Sequence, residues 1–228
     1  MLEFLFIDLD DTILDFKKAE RVAVEKTLSV FGIEPTEAVC ARYSRINQDH
    51  WEALERKEIT REQVLVGRFQ VLFGELGIGA DAAECARCYA ANLSIGHYFL
   101  PGAPEAVENL SKKYKLYLAS NGTAKVQRSR LESAGIQRYF QDVFISQDMG
   151  ANKPALEFFA GCFARIPGFD PGKAMIVGDS LSSDILGGKN AGIATCWVNP
   201  GHKTAPQDRA PDYEIESLSQ LEALLDTL

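Results

Sequence analysis

The 228-residue chain has little with which to hold a polyanion. Its 24 Lys and Arg are outnumbered by 32 Asp and Glu, a formal charge of −8 with an isoelectric point near 5.0. Without a basic stripe to displace counterions from a phosphate backbone, a nucleic-acid-binding role is excluded. A long hydrophobic run is also missing. The apolar opening Met1–Ile7 has no basic flank and is cut by Asp8, so it reads as neither a signal peptide nor a membrane span. Cysteine is scarce and odd in number, at positions 40, 85, 88, 162 and 196. That excludes a disulfide scaffold and points to reduced thiols and a cytoplasmic setting. Cys85-x-x-Cys88 has no second pair and no histidine at ligand spacing, so it reads as small apolar residues in a helix rather than a metal site. The three histidines, His50, His97 and His202, are scattered and form no recognisable nucleophile–base pair.

What is present is an ordinary globular composition, 46% hydrophobic and 25% charged, in a chain long enough to bury a full core without metal or disulfide support. Short, nearly continuous apolar runs occur at Phe4–Ile7, Leu116–Ala119, Val143–Ile145, Met175–Val177, Ala194–Val198 and Tyr213–Ile215. They have the texture of strands buried on both faces. Helix-sized segments beginning near Thr123, Pro154 and Ser183 separate them, with Pro154 suited to a first helical position and Gly135 to a helix end. This alternation predicts an α/β fold with a parallel, Rossmann-like sheet. The stretch from 15 to 98 shows no strand and reads as four consecutive helices. The third opens on the capping box Thr60-Arg-Glu-Gln63 and ends near Gly77, and the fourth opens at Asp81. The expected organisation is therefore a core of residues 1–14 and 99–228 interrupted by an all-helical module, 15–98. Ser217-Leu-Ser-Gln220 is expected to cap a final amphipathic helix.

Polar residues follow the carboxyl ends of three strands: Asp8-Leu-Asp10-Asp11-Thr12, Ser120-Asn121-Gly122, and Gly178-Asp179-Ser180 with Asp184 beyond. Ligands of open α/β sheets bind outside those strand ends, so the three groups can share one crevice. Asp8 and Asp10 repel one another, and a hard divalent cation is a natural counterweight, with Asp179 as a further oxygen ligand. Mg²⁺ suits such a sparse carboxylate set. Taken alone, D-x-D is as readily a solvated turn, Ser120-Asn121-Gly122 an ordinary capped strand-to-helix turn, and Lys153 a surface lysine set against a helix dipole.

Asp8-x-Asp10-x-Thr12, Ser120-Asn121-Gly122, Lys153-Pro154 and Gly178-Asp179-Ser180-x-x-x-Asp184, in this order over essentially the whole chain, resemble the four motifs of the haloacid dehalogenase-like phosphohydrolases. Asn47-Gln-Asp-His-Trp51, Val126-Gln-Arg-Ser-Arg-Leu131, Gly150-Ala-Asn-Lys-Pro154 and Thr195-Cys-Trp197 further resemble the pyrimidine 5′-nucleotidase group. The resemblance implies the family's α/β core with a helical cap acting as a lid. It implies Asp8 as nucleophile and Asp10 as general acid–base, with Ser120, Asn121 and Lys153 holding the phosphoryl group. It implies Mg²⁺ on Asp8, Asp179 and the carbonyl of Asp10, with Thr12 and Asp184 in supporting positions. The expected substrate is a small phosphate ester, a pyrimidine nucleoside monophosphate first and a sugar phosphate second. A phosphomutase with the same core, or a non-enzymatic phospho-acceptor switched at Asp8, is the other reading. Asp10 departs from dehalogenases, which lack that aspartate. Asp11 stands where many relatives carry Gly or His, and the resemblance assigns it no role. Oligomeric state is not legible in the sequence.

Overall fold

The computed structural model describes residues 1–228. Six strands, β1 (Phe4–Ile7), β2 (Lys115–Ser120), β3 (Asp142–Ile145), β4 (Ala174–Gly178), β5 (Ala194–Val198) and β6 (Tyr213–Ile215), form one sheet. Their order is β3-β2-β1-β4-β5-β6 and every neighbouring pair is parallel. The chain builds outward from β1 to β3, then returns past β1 to β4 and onward. The direction of winding therefore reverses between β1 and β4, where an open α/β sheet leaves a crevice beyond its carboxyl ends.

Alternation along the strands sorts the core into two layers. Leu5, Ile7, Leu116, Leu118, Met175, Val177, Cys196 and Val198 face one side, covered by Ala103, Val107 and Leu110 of α5 (Ala103–Ser111) and by Leu221 and Leu225 near the C-terminus. Phe4, Phe6, Tyr117, Phe144 and Ile176 face the other and meet Phe158, Phe159 and Cys162. Both faces are covered, which is why the strands read as continuous apolar runs.

The chain divides into two compact units, Met1–Phe16 with His97–Leu228, and Lys17–Gly96. The second is helical, formed by α1 (Phe16–Val30), α2 (Glu37–Glu55), α3 (Arg61–Leu76) and α4 (Ala82–Leu93). The Thr60–Gln63 capping box forms in full, Gly77 closes α3 in the left-handed conformation, and Asp81 caps α4. Within this unit Tyr43, Phe69 and Tyr89 pack ring to ring, and the buried Arg68 guanidinium lies over all three. Asn47 links the two buried charges, accepting from Arg68 at 2.6 Å and donating to Glu20 at 2.6 Å. The five cysteines are free, and burial pushes the Cys85 thiol up to about 12, so it stays protonated and inert. No helix is long and apolar enough to cross a membrane.

Around the sheet run α6 (Ala124–Ala134), α7 (Ser146–Met149), α8 (Leu156–Ala164), α9 (Leu186–Ala191) and α10 (Leu221–Leu225). Three helix starts differ from expectation. Pro154 does not begin a helix: Ala155 is the N-cap of α8, and Pro154 sits in the connection that follows Lys153. The segment expected to start at Ser183 starts at Leu181 as one π-helical turn, because the Ser180 hydroxyl caps it by accepting from the Ser183 N–H. The Ser217 side chain makes no capping bond to the terminal helix. It faces Ser219, and a 3₁₀ turn over Leu218–Gln220 leads into α10.

Candidate active site

Register sets the first constraint. Ile7 at the end of β1 lies beside Leu118 of β2 and Val177 of β4, and the Asp8 N–H continues the ladder by donating to the Val177 carbonyl at 2.9 Å. The three strands thus release their next residues, Asp8, Ala119-Ser120 and Gly178-Asp179, at one level. Asp8 is almost wholly buried there, with 10% of its side chain exposed.

Lys153 reaches this point from the loop before α8. Its ammonium, 1% exposed, donates to Asp8 Oδ1 at 2.7 Å, Asp184 Oδ1 at 2.6 Å and the Ala119 carbonyl at 2.6 Å. All three donors are used, so a charge that the motif alone places on the surface is buried and satisfied. Asn121 holds the lysine's backbone: its side-chain oxygen accepts from the Lys153 N–H at 2.8 Å, and its amide donates to the Lys153 carbonyl at 2.9 Å. Asp184 is fixed in turn by the Ser180 N–H, at 3.1 Å from its second oxygen. Gly178 leaves the room for this, since a Cβ there would collide with the Asp184 carboxylate.

Asp8, Asp179 and Asp184 bring one oxygen each to within 4.8 Å of one another. Trp197 steadies the Asp179 backbone by donating from its ring N–H to that carbonyl at 2.8 Å. One ammonium serves this cluster of three carboxylates, bonded to Asp8 and Asp184, and burial together with the neighbouring charges shifts the proton affinities of Asp8 and Asp179. Burial, with Asp184 and Asp10 nearby, raises Asp8 from 3.8 to about 8 against the pull of Lys153. Burial and the carboxylates of Asp8, Asp184 and Asp11 hold Asp179 well above its ordinary range. Burial opposes the charge on Lys153, yet Asp184 and Asp8 together keep its ammonium above the ordinary lysine value. A cluster of hard oxygen donors short of positive charge fits a divalent cation of the Mg²⁺ or Ca²⁺ kind.

Ser120 is buried at the end of β2, its hydroxyl accepting from the Gly122 N–H at 3.2 Å and from the Gln127 amide at 2.8 Å. The Thr12 hydroxyl is fully buried and has no hydrogen-bond partner. Asp184, expected in a supporting position beside Lys153, accepts from the Lys153 ammonium and also lies within the carboxylate cluster. Asp10 stands outside it: one oxygen accepts from Arg130 at 2.5 Å and the other from Gln127 at 2.7 Å. Asp11 receives a role from the structure. At φ 54° it occupies the left-handed region, which aspartate tolerates better than most residues, and its carboxylate accepts from the Phe16 N–H at 3.0 Å where α1 begins.

Gln127 and Arg130 were not identifiable as site residues from motif spacing. The signals available are the Val126–Leu131 segment, which resembles the nucleotidase group without assigning either residue a role, and their position three apart on a buried face of α6.

Residues 5–198 match the haloacid dehalogenase-like hydrolase family. Over 225 residues the chain is 37% identical to pyrimidine 5′-nucleotidase PynA of Streptococcus pneumoniae, covering 98% of this chain and 95% of that protein. It is 29% identical over 223 residues to pyrimidine 5′-nucleotidase YjjG of Escherichia coli, covering 98% and 97%. The structure of the HAD-hydrolase YfnB of Bacillus subtilis, bound to magnesium, is 39% identical and superposes with a TM-score of 0.94 over 99% of both chains.

Proposed function

We propose that this chain, which belongs to the haloacid dehalogenase-like hydrolase family, is a Mg²⁺-dependent phosphatase acting on pyrimidine nucleoside 5′-monophosphates. Its reaction class, phosphoric monoester hydrolysis, accords with family membership and with relatives named as nucleotidases. The observation that carries the reading is the set around Asp8: a buried carboxylate at a strand end, held by Lys153 and flanked by Asp179 and Asp184.

The residues divide the work as follows. An Asp8 oxygen attacks phosphorus, the ester P–O bond breaks, and its electron pair leaves with the alkoxide, which takes a proton from Asp10. Water then attacks the phosphorus of the aspartyl-phosphate. Asp10 accepts the water's proton, and the acyl phosphate P–O bond breaks to return the Asp8 carboxylate and release inorganic phosphate. Lys153, the Ser120 hydroxyl and the Asn121 N–H stabilise the transferring phosphoryl oxygens. Asp8, Asp179 and the Asp10 carbonyl would hold Mg²⁺, which supplies charge neutralisation so that an anion can approach an anion.

The substrate assignment rests on the names of the two nucleotidase relatives. The expected kcat/KM for uridine, deoxyuridine and thymidine 5′-monophosphates exceeds that for adenosine and guanosine monophosphates by at least ~10-fold. Equal rates on the two base classes, or faster hydrolysis of a hexose phosphate, would remove the nucleotidase reading and leave the phosphatase chemistry in place.

Metal dependence has a stability signature as well. Between pH 6 and 8 the metal-free folded protein retains a proton on Asp8 that the unfolded chain has lost, since the folded value is about 8 against 3.8. The folded state binds more protons, so stability falls as pH rises through this window. A cation displaces that proton, so Mg²⁺ should raise Tm more at pH 8 than at pH 6. A shift equal at both values in thermal melts would mean that the cation binds without engaging Asp8.

A further inference from the structure

We infer that Arg130 and Gln127 are positioning residues that set the direction of the Asp10 carboxylate and join it to the phosphoryl-binding hydroxyl of Ser120. This rests on the acid–base role proposed for Asp10. A group that must give a proton to one oxygen and take one from another needs its own oxygens held in a defined direction. Asp10 sits on a loop and keeps 27% of its side chain exposed, so the local chain alone does not hold it. Both its oxygens are instead occupied from α6, one by the Arg130 guanidinium at 2.5 Å and one by the Gln127 amide at 2.7 Å.

The clamp is built as a unit. The same Arg130 nitrogen donates to the Gln127 side-chain oxygen at 2.9 Å, which turns the Gln127 amide nitrogen toward Asp10 and toward Ser120 Oγ, 2.8 Å away. Arg130 has no exposed side-chain surface, and its guanidinium lies 5.8 Å from the Phe16 ring centre. A fully buried guanidinium needs a strong counter-charge, and Asp10 is the carboxylate it meets. Gly122 is part of the same arrangement. A Cβ there would come within 2.5 Å of the Gln127 side chain, so the residue after Asn121 is kept bare to let Gln127 pass. Four residues, Asp10, Arg130, Gln127 and Ser120, are thus linked in one hydrogen-bonded chain from the acid–base to the phosphate cradle. A displacement of about 1 Å in a reacting group costs on the order of 10²-fold in rate, which is the scale a positioning clamp controls.

The test is a double-mutant cycle read on two substrates, deoxyuridine 5′-monophosphate with its poor alkoxide leaving group and 4-nitrophenyl phosphate with a good one. Arg130→Met should lower kcat on the nucleotide by about 10²-fold with little change in KM, and lower it much less on the nitrophenyl ester, which needs little protonation. In an Asp10→Asn background the same substitution should cost almost nothing further, because the group it positions is gone. Arg130→Lys should recover part of the nucleotide rate. If Arg130→Met does not fold, Gln127→Leu passes through the same cycle. It should add a loss common to both substrates, through Ser120, to the nucleotide-selective loss that vanishes with Asp10→Asn. Equal losses on both substrates from Arg130→Met, or losses that multiply with Asp10→Asn, would overturn the inference and assign the pair to fold stability. The function itself is read separately from the unmutated protein. Turnover of both substrates by wild type with an unchanged ratio in the variants removes only the clamp, and absence of wild-type turnover removes both.

Discussion

Asp8→Asn should leave the protein folded and its phosphatase turnover at background. The substitution preserves shape, and the new side-chain oxygen can still accept from Lys153, whose remaining bonds to Asp184 and the Ala119 carbonyl are untouched. Removing a buried carboxyl from a cluster with too few cations also relieves repulsion, so Tm should equal or slightly exceed that of the wild type in metal-free buffer. The chemistry has no such tolerance. A neutral amide oxygen is a poor nucleophile toward a phosphate ester, and the next carboxylates after β1 are turned elsewhere, Asp10 to Arg130 and Gln127 and Asp11 to the Phe16 N–H. A loss of at least about 10⁴-fold in kcat is expected, in line with removal of a covalent nucleophile elsewhere. Turnover of 4-nitrophenyl phosphate at saturating Mg²⁺, beside a thermal melt of the same sample, measures both quantities. Retention of even about a tenth of the wild-type rate would rule out covalent catalysis at Asp8, because general base catalysis by a neighbour would then suffice.

Much of this arrangement was visible in the sequence for one physical reason. A parallel strand covered on both faces has to be apolar along its whole length, so the point where Phe4–Ile7 or Met175–Val177 gives way to aspartate marks its carboxyl end. The strand order then follows chain order on each side of β1, and polar residues just past three strand ends converge without further information. Lys153 shows where local rules stop. Taken alone, its place before a helix N-terminus reads as a surface lysine for which an anionic partner is worth seeking, and only the family resemblance puts it in the site. The partners are carboxylates from positions 8 and 184, which no local rule supplies. The same holds for Arg130, whose burial depends on Asp10, 120 positions away in the chain. At Ser180 the sequence did carry the signal: a serine three residues before Ser183 fits an N-cap as well as Ser183 fits a helix start, and only the capping bond decides between them. Ser217 is the converse case. Its sequence fits a capping box, yet its hydroxyl meets that of Ser219 and the Gln220 side chain accepts instead from the Glu216 N–H.

Lys153→Met separates the two services that the buried ammonium performs. Methionine has nearly the length and volume of lysine, so the substitution removes charge without opening a large cavity. In the metal-free protein it leaves Asp8 and Asp184, both buried, without the cation to which each is bonded at 2.7 and 2.6 Å. Breaking a buried pair by deleting one partner costs about 3–5 kcal/mol, which for a chain of this size lowers Tm by roughly 10 °C. Asp8, whose proton affinity burial already raises, answers by holding its proton more tightly once Lys153 no longer opposes it, so the loss should be smaller at pH 6 than at pH 8, as linkage requires of a group whose folded proton affinity has risen further. Saturating Mg²⁺ should restore part of that stability by neutralising Asp8. It should not restore turnover, because a cation on the carboxylates does not replace a donor to the phosphoryl oxygens. A fall in kcat of about 10²–10³-fold is expected to persist at saturating metal, the scale of a lost transition-state hydrogen-bond donor. Recovery of stability and of rate together on adding Mg²⁺ would show that Lys153 serves only to balance charge, and the phosphoryl-stabilising role would pass to Ser120 and Asn121.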